Sequence, residues 1–394
     1  MDDDRFFISG YGKSPFTFLE ILLFCLGLYL LNGIDAPWSP WAAVPLLAYS
    51  VVISALKFWP APGFRVPDEA VFPAGNHPEK TFPHRCFVYD PEYNTRLFWH
   101  IFPGDKYGLV HETALNLGIL SEDDFLSPKP VMDQDLLRVH SIGHLWRLYF
   151  LGATPLGLLN GENPVSLQII RKVRLMAGGT YLACRLALEC GFAMNIGGGF
   201  HHASACREEG FCLINDIAVA IRKLQCEHAI SKAMVIDCDV HQGNGTSAIF
   251  SGDDSVFTFS IHQEDNFPWP KKKSDCDVGL YSDPRVDDSR YLSALKILSD
   301  IIPAANPDLI IYVAGADPFE GDQLGNFRLS KKGLVQRDRC VFSLAAREKV
   351  PLAVVLAGGY AEEINDTVDI HVNTLKLLKL FVDRHKHLRQ PDPK

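Results

Sequence analysis

One short segment of the chain carries two carboxylates and an imidazole at alternating positions. Residues 236–241 read IDCDVH and end an apolar run. Side chains on an extended strand alternate between its two faces, so Asp237, Asp239 and His241 would share one face. Buried carboxylates need compensation, which a bound cation supplies, and this ligand set suits Zn²⁺ as well as Mn²⁺ or Fe²⁺. The alternative is a pair of solvated acids at the start of a loop.

A further acid follows a second apolar run. Asp317 stands in the segment GADP, directly after the run Leu309–Ala314. A third protein ligand from a neighbouring strand would complete the three-ligand open site that catalytic metal centres use. The alternative for an aspartate before a proline is a turn-forming role.

Two adjacent histidines follow three glycines at 197–199. Glycines let the backbone approach a substrate closely, and His201 and His202 could then act as general base and electrostatic partner. Asp237 and Asn244 are candidates to orient the two rings, as the third group of a catalytic triad orients its base. The histidines could instead bind metal, or belong to a polar loop without a chemical role.

A tyrosine follows the glycines of another predicted loop. Tyr360 comes directly after Gly358 and Gly359. A phenol beside flexible glycines can reach a developing oxyanion as a hydrogen-bond donor. A packing tyrosine in a loop is the alternative.

A competing motif indicates a different chemistry. Residues 243–248 read GNGTSA, which matches the dinucleotide pattern G-x-G-x-x-A, and Glu264 lies about twenty residues further on. The carboxylates of Asp237 and Asp239 stand just before this motif and would repel a pyrophosphate. The sequence contains neither a phosphate loop, G-x-x-x-x-G-K-[ST], nor a nucleophile elbow, G-x-S-x-G.

Short apolar strands alternate with helical stretches around these residues. The predicted strands are Ala193–Gly197, Ala233–Val240, Ser255–Ile261, Leu309–Ala314 and Leu352–Ala357. The predicted helices are Ser166–Cys190, Ile214–His228, Tyr291–Ile302 and Gly333–Lys349. The alternation predicts an α/β fold with a mostly parallel sheet and helices on both faces. Because sites in such sheets form at the carboxyl ends of strands, the polar loops should converge in one crevice.

Composition excludes several classes of protein. The chain has 394 residues, 47% of them hydrophobic, and a formal net charge of −9, which rules out a disordered or collagen-like chain. Nucleic-acid binding needs lysine and arginine to neutralise phosphates, so no direct nucleic-acid partner is expected. None of the ten cysteines forms a C-x-x-C pair, which disfavours a zinc ribbon and indicates a reducing compartment.

The N-terminal segment, residues 1–60, differs from the rest of the chain. Residues 16–31 and 41–58 are apolar runs slightly shorter than the roughly 20 residues that cross a bilayer, and a turn-rich stretch joins them. We interpret them as a hydrophobic helical hairpin bound to membrane lipid, with flanking Arg5, Lys13 and Lys57 on the cytoplasmic side. The alternatives are a pair of buried helices in an otherwise cytoplasmic protein, or a signal peptide, which the acidic start disfavours.

Domain boundaries follow from composition. Residues 61–81 form a Pro-rich linker, residues 82–388 read as one α/β domain, and residues 389–394 are a tail.

The motifs together form a recognisable series. GGGFHHA, GFC, IDCDVHQGNG, GADPFEGDQLG and GGY occur in this order. The series resembles the zinc-dependent histone deacetylase family over most of residues 82–380. The segments VYDPEYN (88–94), the stretch 100–110, NIGGGFHH and AGADPFEGDQLG look most like its class IV branch and the bacterial relatives of that branch. The resemblance implies an arginase/deacetylase-like α/β fold, and hydrolysis of the amide bond of N6-acyl-lysine in a protein or peptide.

The resemblance also implies a role for each site residue. Zinc, or Fe²⁺ as the alternative metal, would be held by Asp239, His241 and Asp317. The catalytic residues would be the pair His201 and His202, their orienting partners Asp237 and Asn244, and Tyr360 as the group that polarises the carbonyl. The substrate tunnel would be lined by Gly199, Phe211, Phe267 and Gly358. A structural potassium ion would lie near Asp237, Asp239 and Ser260.

The leading hypothesis is therefore a membrane-associated, zinc-dependent lysine deacylase whose catalytic domain faces the cytoplasm. Because the predicted anchor places the enzyme near lipid, a preference for long acyl chains is a second-level hypothesis. An acylpolyamine amidohydrolase is an alternative that the acidic net charge favours mildly. A non-catalytic, membrane-anchored protein that binds acyl-lysine is a further alternative, against which the complete set of ligands, histidines and tyrosine argues.

Overall fold

The computed structural model describes residues 85–95, 101–160 and 162–389. The strands are β1 (Phe87–Val88), β2 (Phe125–Leu126), β3 (Phe192–Asn195), β4 (Ala233–Asp237), β5 (Val256–Gln263), β6 (Cys276–Leu280), β7 (Leu309–Val313) and β8 (Leu352–Val355). The helices are α1 (Lys106–Asn116), α2 (Asp133–Leu136), α3 (Ile142–Gly152), α4 (Leu167–Cys190), α5 (Asp216–Cys226), α6 (Asn244–Ile249), α7 (Asp288–Leu295), α8 (Leu298–Ala305), α9 (Lys331–Glu348) and α10 (Ile364–Arg389). Short 3₁₀ turns lie at Pro91–Tyr93, Glu122–Asp124 and Pro155–Leu159.

The strands form one eight-stranded sheet in the order β2-β1-β3-β8-β7-β4-β5-β6, with parallel pairing throughout. Every residue of β3, β4, β7 and β8 is buried. Since strand side chains alternate between faces, both faces of the central sheet are covered. The predicted parallel α/β fold is confirmed.

The long helix α4 illustrates how local sequence defines an element. Its N-cap, Ser166, accepts the backbone N–H of Ile169 at 3.1 Å. The helix ends where Gly191 adopts a positive φ of 87°, which glycine adopts without a Cβ penalty. Helix α4 packs against β1, β3 and β8, so it covers the strands that lead into the glycine and histidine loop.

Two predicted elements are wrong in their extent. The strand predicted to run to Val240 ends at Asp237, because the Asp237 and Asp239 carboxylates each accept the backbone N–H two residues on and turn the chain. The single helix predicted for Tyr291–Ile302 is two helices, α7 and α8. Between them the hydrogen bonds of Lys296 and Ser299 reach back only three residues, which interrupts the α-helical pattern.

The predicted hairpin at 16–31 and 41–58 and the linker at 61–81 lie outside the described residues, as does the tail beyond Arg389. They stay predictions, together with the boundaries of the 82–388 domain. No helix between Lys106 and Arg389 in the described part of the chain has both the length and the apolar character needed to cross a bilayer.

The polar loops converge at one edge of the sheet. β3, β8, β7, β4 and β5 are consecutive in the sheet, and these are the five strands whose following loops carry the predicted site residues. The registers place Asp237, the last residue of β4, beside Val313 of β7 and Ser260 of β5. The ends of β3, β8, β7 and β4 are therefore level, β5 runs on to Gln263, and the loops that follow these strands form one crevice.

Candidate active site

Three buried side chains from two of these loops form a cluster able to bind a metal ion. Asp239 and His241 follow β4, Asp317 follows β7, and one ligand atom from each lies within 4.8 Å of the others. The Nδ1 atom of His241 is 3.1 Å from Oδ1 of Asp239 and 3.3 Å from Oδ2 of Asp317. Asp239 and His241 converge although the strand has ended, because the turn replaces the alternation of an extended strand.

Backbone groups fix the orientation of both carboxylates. Asp239 accepts the N–H of His241 through Oδ1 at 3.0 Å and the N–H of Gly358 through Oδ2 at 2.9 Å. Asp317 accepts the N–H of Val240 through Oδ1 at 2.9 Å. A Cβ atom on Gly358 would lie 2.1 Å from Oδ2 of Asp317, so any larger residue at this position must displace that carboxylate.

The cluster fits a divalent cation. Asp317 is fully buried, and its Oδ2 atom accepts no hydrogen bond. Burial, together with the negative charge of Asp239, raises the pKa of Asp317 to about 8. A cation bound between these carboxylates and the imidazole would compensate the buried negative charge, and two oxygens and one nitrogen form a set typical of zinc or iron.

The two adjacent histidines have different partners. Nδ1 of His201 lies 2.6 Å from Oδ2 of Asp237, whereas Nδ1 of His202 lies 2.7 Å from Oδ1 of Asn244. Burial alone would lower the pKa of His201, but the carboxylates of Asp237 and Asp239 raise it to about 9. Burial and the positive charge of His201 hold the pKa of His202 well below its usual value. The ring centroids are 4.0 Å apart, so this is a pair of imidazoles with opposite electrostatic preferences.

One cavity joins these groups. Its walls include the predicted residues Gly199, His201, His202, Phe211, Asp239, His241, Gly358 and Tyr360. Phe211, at a positive φ of 65°, faces Phe102 and Tyr360 with ring centroids 6.0 Å and 5.7 Å away. Phe267 packs its ring 5.0 Å from that of His202 and 6.1 Å from that of His241, so it supports the two histidines.

Hydrogen bonds of its backbone N–H and carbonyl groups hold Tyr360 in position. Its N–H donates to Oδ2 of Asp322 at 2.6 Å, and its carbonyl accepts from Nε2 of Gln323 at 2.9 Å. Burial and the nearby charges of Asp239 and Asp317 raise the pKa of the phenol well above its usual value. The hydroxyl therefore keeps its proton at neutral pH and is available as a donor.

The structure adds residues that the sequence motifs did not indicate. Lys106, at the start of α1, is fully buried and donates to the carbonyl of Ala357 at 2.6 Å, with Nζ 5.7 Å from the ring centroid of Tyr360. Burial lowers the pKa of Lys106 to about 8, even though nearby carboxylates, Asp317 first, raise it. Asp322, which holds Tyr360, was missed as well, although it lies within the motif GADPFEGDQLG. The motif gave no role to this aspartate, and the spacing of Lys106 is not distinctive.

The competing dinucleotide segment belongs to the same site. Gly243 precedes α6, whose first residue is Asn244, the partner of His202. Ser260, predicted for potassium, lies beside Asp237 in the sheet register, and its hydroxyl oxygen is 2.9 Å from Nδ1 of His262.

Comparison with known proteins identifies relatives of this chain. Residues 100–375 match the family described as the histone deacetylase domain. An uncharacterized protein of Picosynechococcus is 38% identical over 286 residues, covering 72% of this chain and 95% of that protein. Histone deacetylase 2 of Arabidopsis thaliana is 32% identical over 286 residues, covering 68% of this chain and 73% of that protein. A crystal structure of a histone deacetylase homologue complexed with SAHA superposes with a TM-score of 0.63 at 24% identity, covering 75% of this chain and 84% of that one.

Proposed function

The chain belongs to the histone deacetylase family and is a hydrolase of that kind, and we propose that it cleaves the amide bond of an N6-acyl-lysine with a zinc ion held by Asp239, His241 and Asp317. The observation that carries the proposal is the meeting of this cluster with His201, His202 and Tyr360 around one cavity. Water adds to the acyl carbon, the C–N bond breaks, and the products are a carboxylate and the free lysine amine.

A bound divalent cation would supply the Lewis-acid chemistry that the protein side chains lack. When bound, a divalent ion here polarises the amide carbonyl and lowers the pKa of a coordinated water towards roughly 7. Asp239, His241 and Asp317 would hold it as a three-ligand open site, which leaves room for substrate. Iron is the alternative metal for the same ligands. We extend the proposal to a structural potassium ion near Asp237, Asp239 and Ser260, which the closeness of Ser260 and Asp237 in the sheet favours.

The partners of the two histidines support different roles. The carboxylate of Asp237 stabilises a charged ring at His201. His202 faces a neutral amide, so its ring stays neutral and can accept the proton of the attacking water. The protonated ring then returns a proton to the departing amine.

Tyr360 supplies a hydrogen-bond donor to the same cavity. Its phenol remains protonated and lines the same cavity, so it can donate to the oxyanion of the tetrahedral intermediate. Phe211 and Gly199 in the cavity wall would contact the aliphatic part of the lysine side chain.

Deacetylation of an N6-acetyl-lysine peptide by the purified, zinc-loaded protein tests this proposal. Asp317→Asn should abolish turnover together with zinc binding. Cleavage of acetylated polyamines at a much higher rate than that of peptides would favour the acylpolyamine alternative. Tight binding of acyl-lysine without turnover would favour the non-catalytic alternative.

The proposal extends to the cellular location of the enzyme and to the length of the acyl group it removes. We propose that the apolar runs at 16–31 and 41–58 hold the enzyme on a membrane, with the catalytic domain on the cytoplasmic side, and that this favours long acyl chains. The support is the length of the two runs and the flanking basic residues Arg5, Lys13 and Lys57. Comparison of acetyl-lysine and myristoyl-lysine peptides tests the acyl preference, and a strong preference for acetyl contradicts it. Fractionation of cells that express the full chain tests the location.

A further inference from the structure

The carboxylate of Glu209 contacts Asn244, the hydrogen-bond partner of His202. The Nδ2 atom of Asn244 lies 3.0 Å from Oε2 of Glu209, and its Oδ1 atom lies 2.7 Å from Nδ1 of His202. Asn244 is 5% exposed and His202 is 4% exposed, while the side chain of Glu209 is 14% exposed. Glu209, Asn244 and His202 form one hydrogen-bonded chain from the partly exposed Glu209 to the cavity.

The chemistry of the three groups fixes the direction of every hydrogen bond in this line. An ionised carboxylate only accepts hydrogen bonds, so the NH₂ group of Asn244 must face Glu209. The amide oxygen then faces His202, and an amide oxygen only accepts. His202 must therefore carry its proton on Nδ1, which leaves Nε2 as the basic nitrogen.

We propose that Glu209 is a positioning residue that fixes the amide of Asn244, and through it the Nδ1-protonated tautomer of His202. This inference rests on the proposed function, because it names what prepares His202 to accept a proton through Nε2. A neutral amide with no carboxylate behind it can rotate by half a turn and offer its NH₂ group to His202, which would stabilise the opposite tautomer. The Glu209 carboxylate prevents this rotation of the Asn244 amide.

The segment that carries Glu209 holds it against the histidine. The backbone groups of Glu209 and Cys212 exchange hydrogen bonds at 3.1 Å and 2.9 Å, which closes a tight turn. Gly210 in this turn has a positive φ of 54°, and a Cβ atom there would lie 2.4 Å from Cδ2 of His202. The turn therefore rests directly on the imidazole, and Phe211 in the same turn faces the cavity.

The outer side of Glu209 faces a cation on the surface. Arg207, whose side chain is 58% exposed, donates to the same Oε2 atom at 3.2 Å. An exposed pair of this kind contributes little on its own, so it serves as a control contact for the buried one. Arg207→Gln removes the outer contact and keeps the line from Glu209 to His202.

Four variants test the proposal on an acetyl-lysine peptide. In Glu209→Gln the new amide can donate or accept, so Asn244 is no longer fixed, and kcat should fall about 10- to 100-fold with KM nearly unchanged. Asn244→Asp places two carboxylates in contact and should reduce kcat to a similar degree. The double variant Glu209→Gln/Asn244→Asp restores the order of donors and acceptors, because the amide introduced at position 209 donates to the carboxylate introduced at position 244, and that carboxylate accepts from His202. We expect this double variant to recover only part of the wild-type kcat, because the new carboxylate restores the donor order but also favours a charged His202 ring. Arg207→Gln should match the wild type.

Wild-type kcat in Glu209→Gln, or a double variant no better than either single variant, would overturn the proposal, since a merely structural role predicts no recovery. Thermal unfolding of each variant confirms that it folds. Nitrogen NMR of His202 supplies a readout independent of turnover: the wild type should show an Nδ1-protonated ring, and Glu209→Gln a mixture or the opposite tautomer. If the wild type is inactive on every peptide, the proposed function fails, and the tautomer measurement still decides the role of Glu209.

Discussion

The backbone N–H of Gly358 donates to Oδ2 of Asp239 at 2.9 Å, although the two residues are 119 positions apart in the chain. The bond ties the loop after β8 to the loop after β4 and orients one carboxylate of the proposed metal site. Gly358 also leaves the space that Oδ2 of Asp317 occupies, since a Cβ atom would lie 2.1 Å from it. One glycine therefore serves both acidic ligands of the cluster.

Gly358→Ala should weaken metal binding. The new methyl group must displace the Asp317 carboxylate, and loss of an orienting contact at a metal site typically costs about 10- to 100-fold in affinity. Competition with a chelator of known zinc affinity measures the change.

A suitable control is Gly143→Ala on helix α3, where a Cβ atom meets nothing within 4 Å. That variant should bind zinc like the wild type. Equal zinc affinity in Gly358→Ala and Gly143→Ala would show that the close approach of Gly358 to Asp317 does not matter for the metal.

Tyr360→Phe should retain the metal and lose turnover. The substitution removes only the hydroxyl that we propose donates to the oxyanion, and loss of one such donor costs on the order of 10²–10³ in kcat. Zinc content and steady-state kinetics on an acetyl-lysine peptide check both halves of the prediction. Tyr281→Phe removes a hydroxyl from an exposed side chain, 57% accessible, and should leave kcat unchanged.

Burial of Lys106 should appear in the pH dependence of stability. The folded metal-free protein holds its pKa at about 8, below the ordinary value of 10.5. Between these values the unfolded chain binds more protons than the folded one, so the stability contributed at this position rises with pH across the window. Relative to Lys106→Met, the wild type should gain about 3 kcal/mol in free energy of unfolding between pH 8 and pH 10.5.

Denaturant unfolding of the wild type and Lys106→Met at several pH values gives this difference directly. A difference that stays constant with pH, or that falls as pH rises, would contradict the depressed pKa of Lys106. The Nζ contact with the Ala357 carbonyl can persist with a neutral amine, so the fold is expected to remain intact across the window.

The sequence was informative where chemistry is local. Asp237, Asp239 and His241 lie within five residues of one another, and apolar runs followed by polar loops predicted the strands that bring distant loops to one edge. The end of β4 could not be read from hydrophobicity, because the turn depends on carboxylates that accept backbone N–H groups two residues on.

Contacts between segments that are distant in the chain could not be predicted from the sequence. Lys106 donates to a carbonyl 251 positions away, and Asp322 accepts from Tyr360 38 positions away. Asp322 stands in the GADPFEGDQLG motif and Lys106 in the stretch 100–110, but neither segment indicates which distant group the side chain contacts, so only the fold reveals these contacts. Glu209 lies beside a recognised segment, but its contact with Asn244 depends on a tight turn that composition does not specify.

Turnover of an N6-acetyl-lysine peptide, measured while zinc is removed from the purified protein and then returned, shows most directly whether the activity depends on a metal held by this cluster. We expect activity to disappear with the metal, to return when about one zinc ion per chain is bound, as a three-ligand site requires, and to stay absent in Asp317→Asn. Unchanged hydrolysis by the metal-free protein, or by Asp317→Asn, would contradict this expectation.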